Sequence, residues 1–375
     1  MWKNVIGQER VKKLIQGVLE RGMLPGAYLF LGPEGVGKDA MAFELAKAAN
    51  CLQPLSHGTE ACDVCVSCLS IDQLSAGFLH FVYAQAKDAD SSSGLKDDEL
   101  EAVREQLSTK AADKYHNIEI PKAISIGVAQ IRELRLLLSR SMSGGKRRIV
   151  IIDEADKMNA QAQNAFLKTL EEPHADTMII LTSSNAHRLY PTILSRCQEI
   201  RFDVLSEEEI ADALITRDEI SREEAEFLSR LAAGSYSQAR AMIGEDIRAM
   251  RTEIVGFLRM GLSKSRRNAV KEIDVFIPRA GGGSFLEKRV AVEQRLLLLA
   301  LWLRDALALA TNSDDRIINL DQRTDLDRFV SRFGDPPSII KAIRAVEKAQ
   351  SQTRMQLQLR PVMLNLVMEL EGALL

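Results

Sequence analysis

The sequence predicts an α/β phosphate-loop domain, a parallel sheet with helices on both faces, followed by a small helical domain and a larger all-helical C-terminal domain. Three observations carry this. The apolar runs AYLFLG (27–32), IVIID (149–153) and MIILTSS (178–184) alternate with amphipathic segments; the glycine-rich stretch GPEGVGKDA (32–40) follows the first of them; and after Phe202 helical periodicity replaces the strand pattern. Short strands this apolar and alternating with helices are buried on both faces, which is the signature of a parallel sheet. At 375 residues the chain is long enough for two or three domains of roughly 150 residues each.

Taken in order, AYLFLG is a strand, the glycines form a loop, and AMAFELAKAA (40–49) continues as a helix built from strong helix formers. A cluster of four cysteines follows. Residues 84–117 are polar and charged, although Leu100, Val103 and Leu107 have helical spacing, and they are expected as a partly helical surface insertion. GVAQIRELRLLLSRS (127–141) reads as an amphipathic helix with Ile131, Leu134 and Leu138 on one side, and SGGKRR turns it into IVIID. NAQAQNAFLKTLEE (159–172) is a second helix, stopped by Pro173. Ser206 and Glu209 have the spacing of a capping box and open the small helical domain. From 248 onward the chain is helical, interrupted at AGGGS (280–284) and GDPPS (334–338). The domains are therefore expected at 1–204, 205–247 and 248–375.

Composition excludes several classes. Charged residues make up 27% and hydrophobic ones 46%, as in ordinary globular proteins, and a net charge of -3 gives no overall field for nucleic acid. The charged N-terminus, MWKNVIGQERVKKL, has no secretory pattern, and LLLLALWL (296–303) is far shorter than the roughly 20 residues that span a bilayer. A cytoplasmic protein with no membrane association is expected.

The glycine loop matches G-x-x-x-x-G-K through Gly32, Gly37 and Lys38, with Gly35 between. Glycines let backbone N–H groups turn toward a phosphate, the helix N-terminus adds positive partial charge, and the lysine reaches terminal phosphates. Where a hydroxyl would bind magnesium, this chain has Asp39. At about 4 Å and an effective dielectric of 20, its repulsion of a phosphate charge is about 4 kcal/mol. Asp153 and Glu154 end the strand IVIID, where one carboxylate can hold magnesium and the next can activate water. ATP and magnesium binding of the working kind is not expected; the loop is open to being empty, anion-bound, or nucleotide-bound without turnover.

Cys51, Cys62, Cys65 and Cys68 have the pattern C-x10-C-x2-C-x2-C, which suits four thiolates around a tetrahedral zinc with no open position. Such a structural ion stabilises its fold by roughly 10 kcal/mol or more. Cys197 is remote and is expected to pack as a small apolar residue. Arg196, in ILSRC (193–197), follows MIILTSS by a short connection that could project it toward a neighbour.

Together these stretches resemble the AAA+ clamp-loader family over essentially the whole chain: VIGQERV (5–11) is similar to its adenine-side box, NAFLKTLEEP (164–173) to the signature after the strand-end acids, and PTILSRC (191–197) to its sensor-1-to-SRC segment. The four-cysteine insertion is a further feature of the bacterial members. The resemblance implies an AAA+ P-loop domain, a helical lid and a helical collar that joins subunits into an open ring. It also implies partners: gamma/tau and delta subunits and, through the assembly, the sliding clamp and primed DNA. Sensor 1 falls at Ser184 or Asn185.

Two departures separate the chain from the family's gamma/tau ATPase. Asp39 stands where the ATPase has Thr or Ser, and GSYS places Ser237 where a lid arginine belongs. By resemblance, Arg196 then acts in trans, as a finger on ATP held by an adjacent gamma/tau subunit. The alternative is an active gamma/tau-like ATPase in which Asp39 coordinates magnesium directly.

Overall fold

The computed structural model describes residues 2–375 except 3, 23, 86–96, 122, 140–145, 174–175, 262–272, 274–275, 278–284, 314–316 and 356. The stretches AGGGS and Ser91 to Ser93 thus lie outside the described residues, as does the first half of SGGKRR. The chain divides into two compact units, Met1–Ala241 and Met242–Leu375.

The first unit is built on five strands, β1 (Ala27–Leu31), β2 (Leu79–Val82), β3 (Arg148–Ile152), β4 (Thr177–Ser183) and β5 (Gln198–Arg201), in the order β2-β3-β4-β1-β5. Every neighbouring pair is parallel, with Leu29 opposite Leu181 and Glu199, and Val150 opposite Ile179. All residues of β1, β3 and β4 are buried, which accounts for their unbroken apolar runs.

Among the described residues seven helices accompany the sheet: α1 (Glu9–Glu20), α2 (Lys38–Asn50), α3 (Val66–Asp72), α4 (Asp97–Ala112), α5 (Val128–Leu138), α6 (Ala160–Glu171) and α7 (Pro191–Leu194). On one face Leu29, Val150 and Ile179 pack with Ile131 and Leu134 of α5 and Phe166 of α6, and partly buried Cys197 packs against the same cluster. The alternate strand positions point the other way, where Phe43 of α2 meets Phe81 of β2 at 5.5 Å between ring centroids. Helices therefore cover both faces.

Three helices complete the unit: α8 (Glu207–Asp218), α9 (Arg222–Leu231) and α10 (Tyr236–Ala241). The capping box opens α8, with Glu209 N–H donating to Ser206 Oγ at 3.1 Å and Ser206 N–H to Glu209 Oε2 at 2.8 Å. These two bonds satisfy donors that a helix start otherwise leaves unpaired.

The second unit holds α11 (Ile247–Gly261), α12 (Phe285–Ala310), α13 (Arg323–Phe333), α14 (Pro336–Arg354) and α15 (Leu359–Leu374). LLLLALWL lies inside α12, where Leu296, Leu299 and Leu303 are buried. Among the described residues no helix is long and apolar enough to cross a membrane.

Of the expected surface insertion at 84–117, the described part departs from a surface position only toward its end. Leu100 and Glu101 of α4 are exposed, but the last turn and the loop after it run inward, leaving Lys110, Lys114 and Tyr115 buried. The polar composition misled because a lysine is almost never buried unless it is paired, and the carboxylate that pairs Lys110 lies 71 positions away.

Candidate phosphate-loop site

The loop Gly32–Gly37 joins β1 to α2 at the carboxyl end of the sheet, the same end at which β3 and β4 deliver Asp153 and Thr182. Ligands of parallel α/β sheets bind at this end. Gly37 has φ 99°, in the left-handed region, and a Cβ there would stand 2.6 Å from Tyr115 Oη, so both the turn and its neighbour require glycine. Lys38, the first residue of α2, donates from Nζ to the carbonyl oxygens of Gly32 at 2.9 Å and Pro33 at 2.6 Å. Its ammonium thus bonds to the loop's own backbone. Burial holds the Lys38 pKa below the usual lysine value, against the pull of Asp39, Glu34 and Asp153.

Asp39 has an internal cationic partner. Its Oδ2 accepts a hydrogen bond from Lys110 Nζ at 2.5 Å, and Lys110 is fully buried. The same ammonium donates to the carbonyls of Lys114 at 3.1 Å and His116 at 2.8 Å. Burial alone would raise the Asp39 carboxyl, but the charge and hydrogen bond of Lys110 outweigh it, and its pKa lies below the usual carboxylate range. For Lys110, likewise, burial is outweighed by Asp39 and Asp153, and the pKa is raised.

The strand-end acids are held from within as well. Thr182 Oγ1 donates to Asp153 Oδ1 at 3.1 Å and accepts from Glu154 N–H at 3.2 Å. Burial, then the nearby Asp39, push Asp153 up to about 7, with Lys110 opposing. Glu154, in the left-handed region at φ 49°, forms an ion pair with Lys157, and burial raises its pKa in spite of that partner. The cavity that remains between Gly35, Lys38, Asp39, Tyr115, Asp153 and Ser184 measures about 30 Å³. That is room for a water or two and far below the several hundred Å³ of a typical small-molecule site.

GSYS reaches the same loop. Tyr236 N–H donates to Gly35 O at 3.1 Å, and a Cβ on Gly35 would lie 2.1 Å from the hydroxyl oxygens of Ser235 and Ser237. The Tyr236 ring meets Tyr115 edge-on at 5.0 Å, and Tyr115 Oη accepts from Ile6 N–H at 2.8 Å. Arg240, one turn beyond Ser237, forms ion pairs with Asp113, in the loop after α4, and with Asp218 of α8.

The two sensor-1 positions part here. Ser184 lines the cavity, whereas Asn185 Oδ1 accepts from His187 N–H at 3.1 Å and caps the short turn that follows. Arg196 lies elsewhere, just past α7: its guanidinium donates to Glu171 Oε1 at 2.9 Å and to Thr192 O at 3.1 Å while its side chain stays 35% exposed. Lys110, Lys114, Tyr115 and Thr182 were not foreseen from the sequence. Thr182 carried a signal, a hydroxyl at the polar end of an apolar strand; the other three carried none.

The four cysteines converge, with their sulfur atoms all within 4.8 Å of one another and no disulfide among them. Backbone N–H groups point at the sulfurs: Cys62 to Cys51 Sγ at 3.2 Å, Cys65 to Cys62 Sγ at 3.3 Å and Cys68 to Cys65 Sγ at 3.5 Å. Burial would raise the Cys65 thiol, but N–H donors from Leu52 and Cys68 outweigh it and bring it down to about 6. Burial raises the Cys51 and Cys68 thiols, so before a metal arrives a thiolate is favoured at Cys65 and disfavoured at those two; four sulfurs at this separation could hold a metal such as zinc, whose own charge deprotonates the thiols it binds.

Fold and site together define an α/β phosphate-loop domain whose loop is engaged by the chain's own side chains. The family model described as DNA polymerase III, delta subunit, matches residues 7–206, more than half of the sequence, and the chain belongs to that family. The DNA polymerase III subunit delta' of Bacillus subtilis (strain 168) is 27% identical over 365 residues, 97% of this chain and 96% of that protein. The subunit delta' of Pseudomonas aeruginosa is 32% identical over 233 residues, covering 61% and 59% of the two chains. The Bacillus subtilis subunit tau is 28% identical over 253 residues, 66% of this chain but only 38% of that longer protein.

Proposed function

We propose that this chain is a clamp-loader subunit of the delta prime type, which assembles with gamma/tau and delta subunits to open the sliding clamp and place it on primed DNA. In this reading residues 1–204 form the AAA+ domain, 205–247 its lid and 248–375 the collar, and the assembly works in the cytoplasm. Arg196 serves as a finger on ATP held by an adjacent gamma/tau subunit, and zinc fills the four-cysteine site as a structural ion.

The observation that carries the reading is a division of roles between two sites. At the chain's own loop, Asp39 is engaged by Lys110, Lys38 by backbone carbonyls and Glu154 by Lys157, so the groups that would handle magnesium, phosphate and water are already bonded. Arg196 keeps an exposed guanidinium fixed by two hydrogen bonds. Similarity to the delta' subunit of Bacillus subtilis along nearly its full length supports the same reading. An active gamma/tau-like ATPase would need Asp39 to exchange its buried ammonium for magnesium, and the Lys110 contact counts against that alternative.

Reconstitution tests it. An Arg196→Ala chain is expected to enter the complex normally while clamp-stimulated ATP hydrolysis falls, since such fingers supply about 10³–10⁵ in rate at the site they serve. Unchanged hydrolysis removes the finger from the account. Turnover by the isolated wild-type chain, abolished by Lys38→Ala, overturns the delta prime reading in favour of the ATPase.

A further inference from the structure

The geometry points to the Lys110–Tyr115 segment as a built-in occupant of the phosphate-loop site, an internal ligand that joins the loop to the 207–241 helices with no nucleotide between them.

Three attachments make the case. At the loop, the Lys110 ammonium meets Asp39 at 2.5 Å. A cation held by that carboxylate neutralises it from within, as a bound metal ion would in an open site. At the centre, Tyr115 Oη accepts from Ile6 N–H at 2.8 Å and lies so close to Gly37 that a Cβ would come within 2.6 Å of it. At the far side, the Tyr115 ring packs on Tyr236 at 5.0 Å and Asp113 forms an ion pair with Arg240, both partners belonging to α10.

The segment is itself firmly held. Lys114 donates to the carbonyls of Asp72 and Ala111, each at 2.6 Å, and stands 4.9 Å over the Phe43 ring. Lys110, Lys114 and Tyr115 are all less than a tenth exposed. A nucleotide lying against Gly35 to Lys38 would have to expel Tyr115 and enlarge a cavity of about 30 Å³ many times over. The position of α8–α10 against the sheet is consequently set by the chain itself. This inference concerns contacts within the first unit and does not depend on the role given to Arg196.

The test uses the full chain and a fluorescent ATP analogue with magnesium. Wild type and Asp39→Ser are expected to show no binding at millimolar nucleotide. The combined variant Asp39→Ser, Lys110→Met, Tyr115→Ala opens the space and removes both members of the Lys110–Asp39 pair together, and is expected to bind at least about tenfold more tightly than Asp39→Ser alone. Binding by wild type, equal binding by Asp39→Ser and the combined variant, or a folded combined variant that stays silent would each overturn the inference. A second measurement needs no variant: under native amine labelling, Lys110 is expected to react at least about tenfold more slowly than the exposed Lys168 and Lys341, with or without Mg-ATP, given its complete burial and ion pair. Labelling of Lys110 at the rate of those surface lysines, or acceleration by Mg-ATP, contradicts it.

Discussion

Lys110, near the end of α4, and Asp39, in the first turn of α2, are 71 positions apart in sequence and 2.5 Å apart in space. Lys110 is fully buried and the Asp39 side chain is 15% exposed, so the pair has little water to fall back on. Removing one partner leaves an uncompensated charge, which typically costs 3–5 kcal/mol, whereas replacing both removes the penalty along with the attraction. Lys110→Met is therefore expected to destabilise the chain by about 3–5 kcal/mol, and Asp39→Asn combined with Lys110→Met by clearly less. Urea unfolding of the four members of the cycle measures it; additive losses would show that the two groups act independently.

Asp153 makes a prediction about pH. Its carboxyl titrates at about 7 in the folded chain against 3.8 for the ordinary value, chiefly through burial and the charge of Asp39. Between those limits the native state holds a proton that the unfolded state has released, so unfolding free energy falls as pH rises from about 4 to about 7 and levels off above. Asp153→Asn removes this contribution. Relative to wild type, the variant is expected to gain of the order of a few kcal/mol on going from about pH 4 to about pH 8. An unchanged difference between the two pH values would mean that native Asp153 is already ionised at the lower one.

The parallel sheet was legible because β1, β3 and β4 are buried throughout, and burial on both faces writes itself as an uninterrupted apolar run. The four cysteines and the capping box at Ser206 were legible because their partners are close in sequence. Spacing alone could not separate Ser184 from Asn185, since one lines the cavity and the other caps a turn from adjacent positions. Lys110 and Tyr115 were not legible at all. Nothing local to KAADKYHN marks a lysine that will meet a carboxylate 71 residues away or a tyrosine that will accept from Ile6. Long-range polar pairing leaves no periodic trace, and the polar composition of 84–117 pointed toward solvent instead.

The cysteine cluster should contain one zinc per chain by elemental analysis. Four sulfurs within 4.8 Å of one another make a complete ligand set, and the thiols must be deprotonated to ligate. Cys65→Ser or treatment with a strong chelator is expected to lose the ion and lower the thermal midpoint, and acidification is expected to release metal as protons compete for sulfur. A metal-free chain with the same midpoint would remove zinc from the site.

Arg196 and Glu171 permit a finer test than truncation of the arginine. The pair is partly exposed, 35% and 48% for the two side chains, and so is worth only about 0–1 kcal/mol to the fold. Glu171→Gln is expected to leave stability within about 1 kcal/mol of wild type. Its effect should be on orientation: Arg196 keeps the Thr192 carbonyl as partner but loses the carboxylate that fixes the other end of its guanidinium. In a reconstituted complex, hydrolysis by the neighbouring subunit is then expected to fall by a few-fold, much less than with Arg196→Ala. Arg196→Lys should resemble Arg196→Ala, because a lysine offers a point charge without the planar fork that can bond Glu171, Thr192 and a phosphate together. Full activity of Arg196→Lys would show that charge alone matters at this position, and a Glu171→Gln complex with wild-type rates would show that the ion pair does not position the finger.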